Sequence, residues 1–78
     1  MAKVEFLVNV YYPAKFYPAW DQKLFEKAGS SDASGMGMGE RDHSWECKSK
    51  SHATKLMEKF KRLKLEGLRV QIEEYTRD

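Results

Sequence analysis

His43, Cys47 and His52 carry the side chains of a metal or nucleophile site. Zinc would take imidazole nitrogen and thiolate at about 2.0–2.3 Å. The segment His43-Ser44-Trp45-Glu46-Cys47 alternates apolar with polar residues, as a strand does. Residues four apart on a strand stand about 13 Å from one another, so His43 and Cys47 cannot share an ion. Cys47 and His52 across the following turn would supply two ligands only, and neither metal nor cofactor is expected. A nucleophilic thiol needs a lowered pKa and access. Cys47 shares its parity with Trp45, which places it in the core, with His43 at the core edge.

The run Gly35-Met36-Gly37-Met38-Gly39 has the glycine density of a phosphate loop. It lacks the spacing of the dinucleotide and P-loop motifs, and a strand-like segment follows it where those motifs need a helix N-terminus. The carboxylate pairs Glu40/Asp42 and Glu73/Glu74 fall on turn or solvent-facing positions, where nothing raises a pKa for acid–base work. No Ser-His-Asp set has a recognisable spacing. The reading is of a protein without enzymatic activity.

Two other features suit binding. Tyr11-Tyr12-Pro13-Ala14-Lys15-Phe16-Tyr17-Pro18 packs aromatics into a proline-bounded connection, and Tyr and Trp are enriched at binding hot spots. Tyr11, Tyr12, Phe16 and Tyr17 are therefore candidate protein contacts. Met36 and Met38 join them, because a Gly/Met strand is weakly registered, adaptable, and able to accept a partner strand at a sheet edge. The second feature is charge. Residues 48–64 carry a net charge of +6 against +2 for the whole chain, so the remainder is acidic. Lys55, Lys59 and Arg62 recur at helical spacing and, with Lys50, form a candidate nucleic-acid surface. The plainer reading of that stripe is a solvated helix face.

The elements that must position these residues are short. The chain has 78 residues, which is one domain, 1–78, with a modest core. No apolar run reaches the ~18 residues of a membrane span, and Met-Ala-Lys-Val-Glu lacks the apolar core of a signal peptide. A single cysteine excludes an intrachain disulfide and fits a reducing compartment. A cytoplasmic protein is expected, with no membrane association.

Val4, Phe6, Val8 and Val10 alternate with Lys3, Glu5, Leu7 and Asn9 and predict a strand over 3–12, ended by Pro13. Trp20, Leu24, Phe25 and Ala28 share one helical face and predict a helix over 17–28, with Pro18 in its first turn. The apolar parity flips between Met36/Met38 and His43/Trp45/Cys47. That requires a turn near 39–42 between strands at 34–38 and 42–48, or else one bulged strand. Ala53, Leu56, Met57, Phe60 and Leu63 predict a helix over 51–66, capped by Ser49 or Ser51 and ended by Gly67. Leu68, Val70 and Ile72 alternate on a last strand over 68–75.

This order, βαββαβ, predicts an α+β ferredoxin-like sandwich: a four-stranded antiparallel sheet with two helices on one face. The open face would carry Leu7, Asn9, Tyr11, Asp42, Ser44 and Glu46. Its acids and the absent RNP1 pattern disfavour base stacking of the RNA-recognition type. Leu7, Tyr11 and Tyr75 form a modest patch there. A homodimer through sheet edges or through this face is compatible with the pattern. The expected function is that of a small protein-binding or regulatory protein, an adaptor or inhibitor such as viruses and phages encode. The alternative is a nucleic-acid binder using the basic helix.

Overall fold

The computed structural model describes residues 3–77. In chain order these form β1 (Lys3–Pro13), a 3-10 turn (Ala14–Phe16), α1 (Ala19–Ala28), β2 (Ala33–Gly37), β3 (Glu40–Cys47), α2 (Lys50–Arg62) and β4 (Arg69–Arg77). The strands make one sheet in the order β2-β3-β1-β4. Every neighbouring pair is antiparallel. This is the ferredoxin-like α+β arrangement that the periodicity predicts.

Strand parity decides what each face carries. Val8, Val10 and Tyr12 of β1 lie opposite Trp45, His43 and Arg41 of β3. Val8 and Val10 also face Ile72 and Val70 of β4. Leu24 of α1 and Ala53, Leu56 and Phe60 of α2 close over this face and complete the core. Full burial of a side chain the size of Phe60 contributes about 1.5–3 kcal/mol. The opposite face carries Leu7, Asn9, Tyr11, Ser44 and Tyr75, tied by a polar ladder. Ser44 donates to Asn9 at 2.7 Å, and the Tyr75 hydroxyl donates to Glu5 at 2.6 Å and to Glu46 at 3.2 Å. Those two carboxylates, Glu5 first, push the Tyr75 phenol up to about 12.

Several boundaries differ from the sequence reading, each for a local reason. The hairpin turn is Met38-Gly39 rather than 39–42. Both residues have positive φ, 51° and 79°, as the tight two-residue turn requires. Met38 therefore belongs to the turn and not to a strand. Helix α1 starts at Ala19, not 17, and Pro18, behind a cis Tyr17-Pro18 bond, occupies its N-cap. Helix α2 begins behind Ser49, whose side chain accepts from the His52 N–H at 3.1 Å. It ends at Arg62 and not at 66, because Lys64 turns left-handed at φ 50°. Gly67 lies in the loop beyond. Its φ is +75°, and a Cβ there would stand 2.7 Å from Pro13 Cδ, so only glycine fits.

Candidate functional site

The polar centre of the molecule is Asp21, 5% exposed. It sits on α1 three residues before Leu24, on the turn of the helix that faces the sheet. Arg41 and His43, inward-facing on β3, and Tyr12, inward-facing on β1, all aim at it. Arg41 donates from Nη2 at 2.8 Å and from Nε at 3.1 Å to Oδ2. His43 Nε2 lies 2.7 Å from Oδ1, and the Tyr12 hydroxyl donates to the same oxygen. A carboxylate only accepts, so His43 Nε2 carries the proton, and in the neutral ring Nδ1 accepts from Ser31 Oγ at 2.8 Å. Burial alone would raise the Asp21 carboxyl. The hydrogen bonds from Arg41, Tyr12 and His43 outweigh it and hold the group below its ordinary range. Burial, reinforced by Asp21, raises the Tyr12 phenol and keeps it a donor. Among the described residues no buried side-chain N or O lacks a partner.

Ser31, His43 and Asp21 thus stand in the order of a hydrolase relay. Catalysis also needs a place for substrate beside the hydroxyl. The His43 side chain is wholly enclosed. Of four surface cavities among the described residues, one is lined by Ser30 and Asp32 on either side of Ser31, and none is lined by Ser31 or His43 themselves. The network ties α1 and the loop after it to the β1–β3 half of the sheet. Cys47 is buried, and burial, then Asp32, raises its thiol away from the reactive thiolate. Among the described residues no group of three or more His, Cys, Asp or Glu could hold a metal ion. His43 is not at the core edge, as its position suggested, but fully inside.

The hub anchors an exposed patch. The Arg41 guanidinium lies 5.1 Å over the Tyr17 ring, and Nη1 reaches the Gly35 carbonyl at 3.4 Å. Met36 is the cross-strand partner of Arg41. Ala14, at the start of the aromatic connection, donates its N–H to the Gly39 carbonyl at the hairpin tip at 2.8 Å. The aromatic connection and the Gly/Met hairpin, some twenty residues apart in sequence, are therefore one surface. On it Tyr17 is 48%, Met36 51% and Met38 104% exposed.

The remaining candidate residues lie elsewhere. Tyr12 is fully buried and hydrogen-bonded to Asp21, which corrects its assignment as a surface contact. Phe16 stacks on Trp20 at 4.8 Å, and Trp20 Nε1 donates to the Glu66 carbonyl, so this pair packs against the α2–β4 loop. Tyr11 is half-buried on the open face under Arg69. Lys50, Lys55, Lys59 and Arg62 are exposed along α2, and Arg62 comes within 3.8 Å of Glu58. Lys59 and Arg62 join Lys27 and Glu26 of α1 around a cavity of about 400 Å³.

Sequence reasoning missed Asp21, Arg41 and Ser31. Asp21, Leu24, Phe25 and Ala28 fall at i, i+3, i+4 and i+7, a spacing that places the acid on the apolar stripe. Arg41 and His43 share the parity of Trp45, which points both at that stripe. Among the described residues no helix is long and apolar enough to cross a membrane. No protein-family model, curated protein or solved structure matches this chain.

Proposed function

We propose that this is a small non-enzymatic binding protein, of adaptor or inhibitor type, whose partner is another protein and whose contact surface is Tyr17, Met36 and Met38. The observation that carries this reading is the joining of the aromatic connection to the hairpin through Ala14 and Arg41. Large apolar side chains gathered on a rigid base mark interaction sites. Met38 adds to it, being a non-glycine residue held at φ 51° with its side chain fully in solvent. Such a residue is costly for the turn and contributes nothing to the core.

A photo-crosslinking residue at position 38, compared with one at position 59, tests this in lysate of the protein's own host. Position 38 should give a protein adduct that survives nuclease and disappears with Tyr17→Ala. An adduct confined to position 59 and abolished by nuclease would replace this reading with the nucleic-acid one. What favours that alternative is the Lys27, Lys59 and Arg62 cluster, in which neither lysine has an ion-pair partner among the described residues. It requires an affinity that falls steeply with salt.

A further inference from the structure

We infer that the partner docks by adding an extended segment to the free edge of β2, with apolar residues on the segment's helix-side face and a basic residue on the other. This rests on the protein-binding reading and names its mode. The two-residue turn closes on the Gly37–Glu40 pair. In such a hairpin that pair exchanges both ladder hydrogen bonds, and so does every second pair after it, Gly35–Asp42 and Ala33–Ser44. The N–H and C=O groups of Ser34 and Met36 therefore point away from β3, at the free edge. Asp32 marks where the edge stops. Its N–H bonds the Ser44 carbonyl at 2.8 Å, doubling up beside Ala33, and its carboxylate takes the Glu46 N–H at 2.7 Å.

Ala33-Ser34-Gly35-Met36-Gly37 has no charge and no proline, and all of these residues but Gly35 are exposed. On the helix side, an added strand would lay alternate side chains against Met36 and Tyr17. On the open side β2 offers only Ala33, Gly35 and Gly37, which leaves room for long side chains. There the Asp42 carboxylate leans over Gly35, 3.4 Å from where a Cβ would stand, and has no ion-pair partner among the described residues. An uncompensated acid beside an empty strand position is complementary to Lys or Arg. A second copy of this chain fits less well. Self-pairing of β2 would engage five residues a side, against the roughly 20–30 of a stable interface, and would bring no cation to Asp42.

The test uses the whole protein and a displayed library of random linear peptides. Selection should enrich peptides that alternate apolar with other residues and carry a Lys or Arg on the non-apolar parity. Met36→Pro removes an outward N–H that bonds nothing within the sheet, and should weaken the selected peptide by about thirtyfold or more. Asp42→Asn should cost about twofold to fivefold. Methylating the peptide's own amides one at a time should abolish binding at every second position only, a readout that needs no protein variant. Uniform tolerance of N-methylation overturns strand addition. If Tyr17→Ala and Met38→Ala still abolish binding in that case, the patch stands and the docking mode alone has failed. Peptides indifferent to all of these variants, or no enriched peptides, overturn both. Concentration-dependent dimerisation abolished by Met36→Pro would instead assign the edge to a second copy.

Discussion

The two edges of the sheet are built in opposite ways. β4, RVQIEEYTR, is nine residues long and studded with charge. Arg69 is paired with Glu40 across the sheet, and Glu73 and Glu74 follow. Such an edge repels further strands. β2 is five residues long, uncharged and mostly exposed, and Arg41 of the Asp21 network reaches its Gly35 carbonyl. An undefended edge is where an added strand meets least resistance. The longer edge is defended, and the shorter one is left open and held still from below by Arg41 on Asp21.

The β2 side of the molecule depends most on the Asp21 hub. Asp21→Ala strips Arg41, His43 and Tyr12 of their shared acceptor, and removing one partner of a buried pair costs about 3–5 kcal/mol. A domain of this size holds about 4–12 kcal/mol in all, so urea titration should find the midpoint lowered by about a quarter or more, and the variant unfolded without urea where the parent lies at the low end of that range. Asp21→Asn keeps the shape and isolates the charge. Hydrogen exchange of that variant should show β2 and β3 losing protection while β4 keeps its own. The acid limb follows from the sign of the shift. Asp21 titrates below its unfolded value in the fold, so its contribution is complete above the unfolded pKa of about 3.9 and is lost as pH falls through the folded value. Asp21→Asn should flatten the stability profile in that window.

On the β4 side the corresponding weak point is Gly67. Gly67→Ala forces a Cβ into the left-handed region, at about 1–2 kcal/mol, and drives it against Pro13 Cδ at 2.7 Å. A loss of about 2 kcal/mol or more in chemical denaturation is expected, with β4 and the Phe16–Trp20 stack disturbed and the Tyr17, Met36 and Met38 surface unchanged. Loss of peptide binding in a folded Gly67→Ala variant would mean the two edges are coupled.

How much of this was legible depended on the kind of signal. Alternation in 3–12 and 68–75, and helical spacing around Leu56 and Phe60, place the elements because burying an apolar face leaves one register. The sequence puts the hairpin turn at 39–42 and not at Met38-Gly39 because Met38 is a poor turn former, and turn chemistry reads as Asn, Asp or Gly. The end of α2 was misplaced because Lys64, not the nearby glycine, takes the left-handed conformation. The hub was present as spacing, Asp21 on the stripe of Leu24 and His43 in parity with Trp45. Recognising it meant reading a charge as buried, which makes sense only once its three donors, scattered over two strands, are brought together. Tyr12 illustrates the converse. Its neighbours suggested a surface aromatic, and its parity with Val8 and Val10 was the truer signal.

A smaller effect separates folding from function at the hairpin tip. Met38→Asn places a residue suited to the left-handed conformation at φ 51° and should stabilise the protein by about 0.5–1 kcal/mol, read from the denaturation midpoint. The same variant should bind less well, because the fully exposed methionine is lost from the patch. A residue that costs stability where it stands and improves binding there is accounted for by the binding. Met38→Asn with unchanged affinity would leave that methionine unexplained and shrink the contact surface to Tyr17 and Met36.

The smallest expected change in stability comes from exchanging the characters of the two edges. Ser34→Lys puts a charge on β2 at an exposed position, and surface substitutions of this kind shift stability within about 0.5 kcal/mol. It should nevertheless abolish strand addition, because an ammonium group beside the docking strand is an edge defence of the kind β4 already has. Glu73→Thr with Glu74→Val removes that defence. It should leave the denaturation midpoint close to its starting value while light scattering shows new self-association through β4. If Ser34→Lys binds extended peptides as the parent does, openness of the β2 edge has nothing to do with recognition. If stripping β4 produces no association, charge is not what keeps that edge closed, and the contrast between the two edges reduces to one of length.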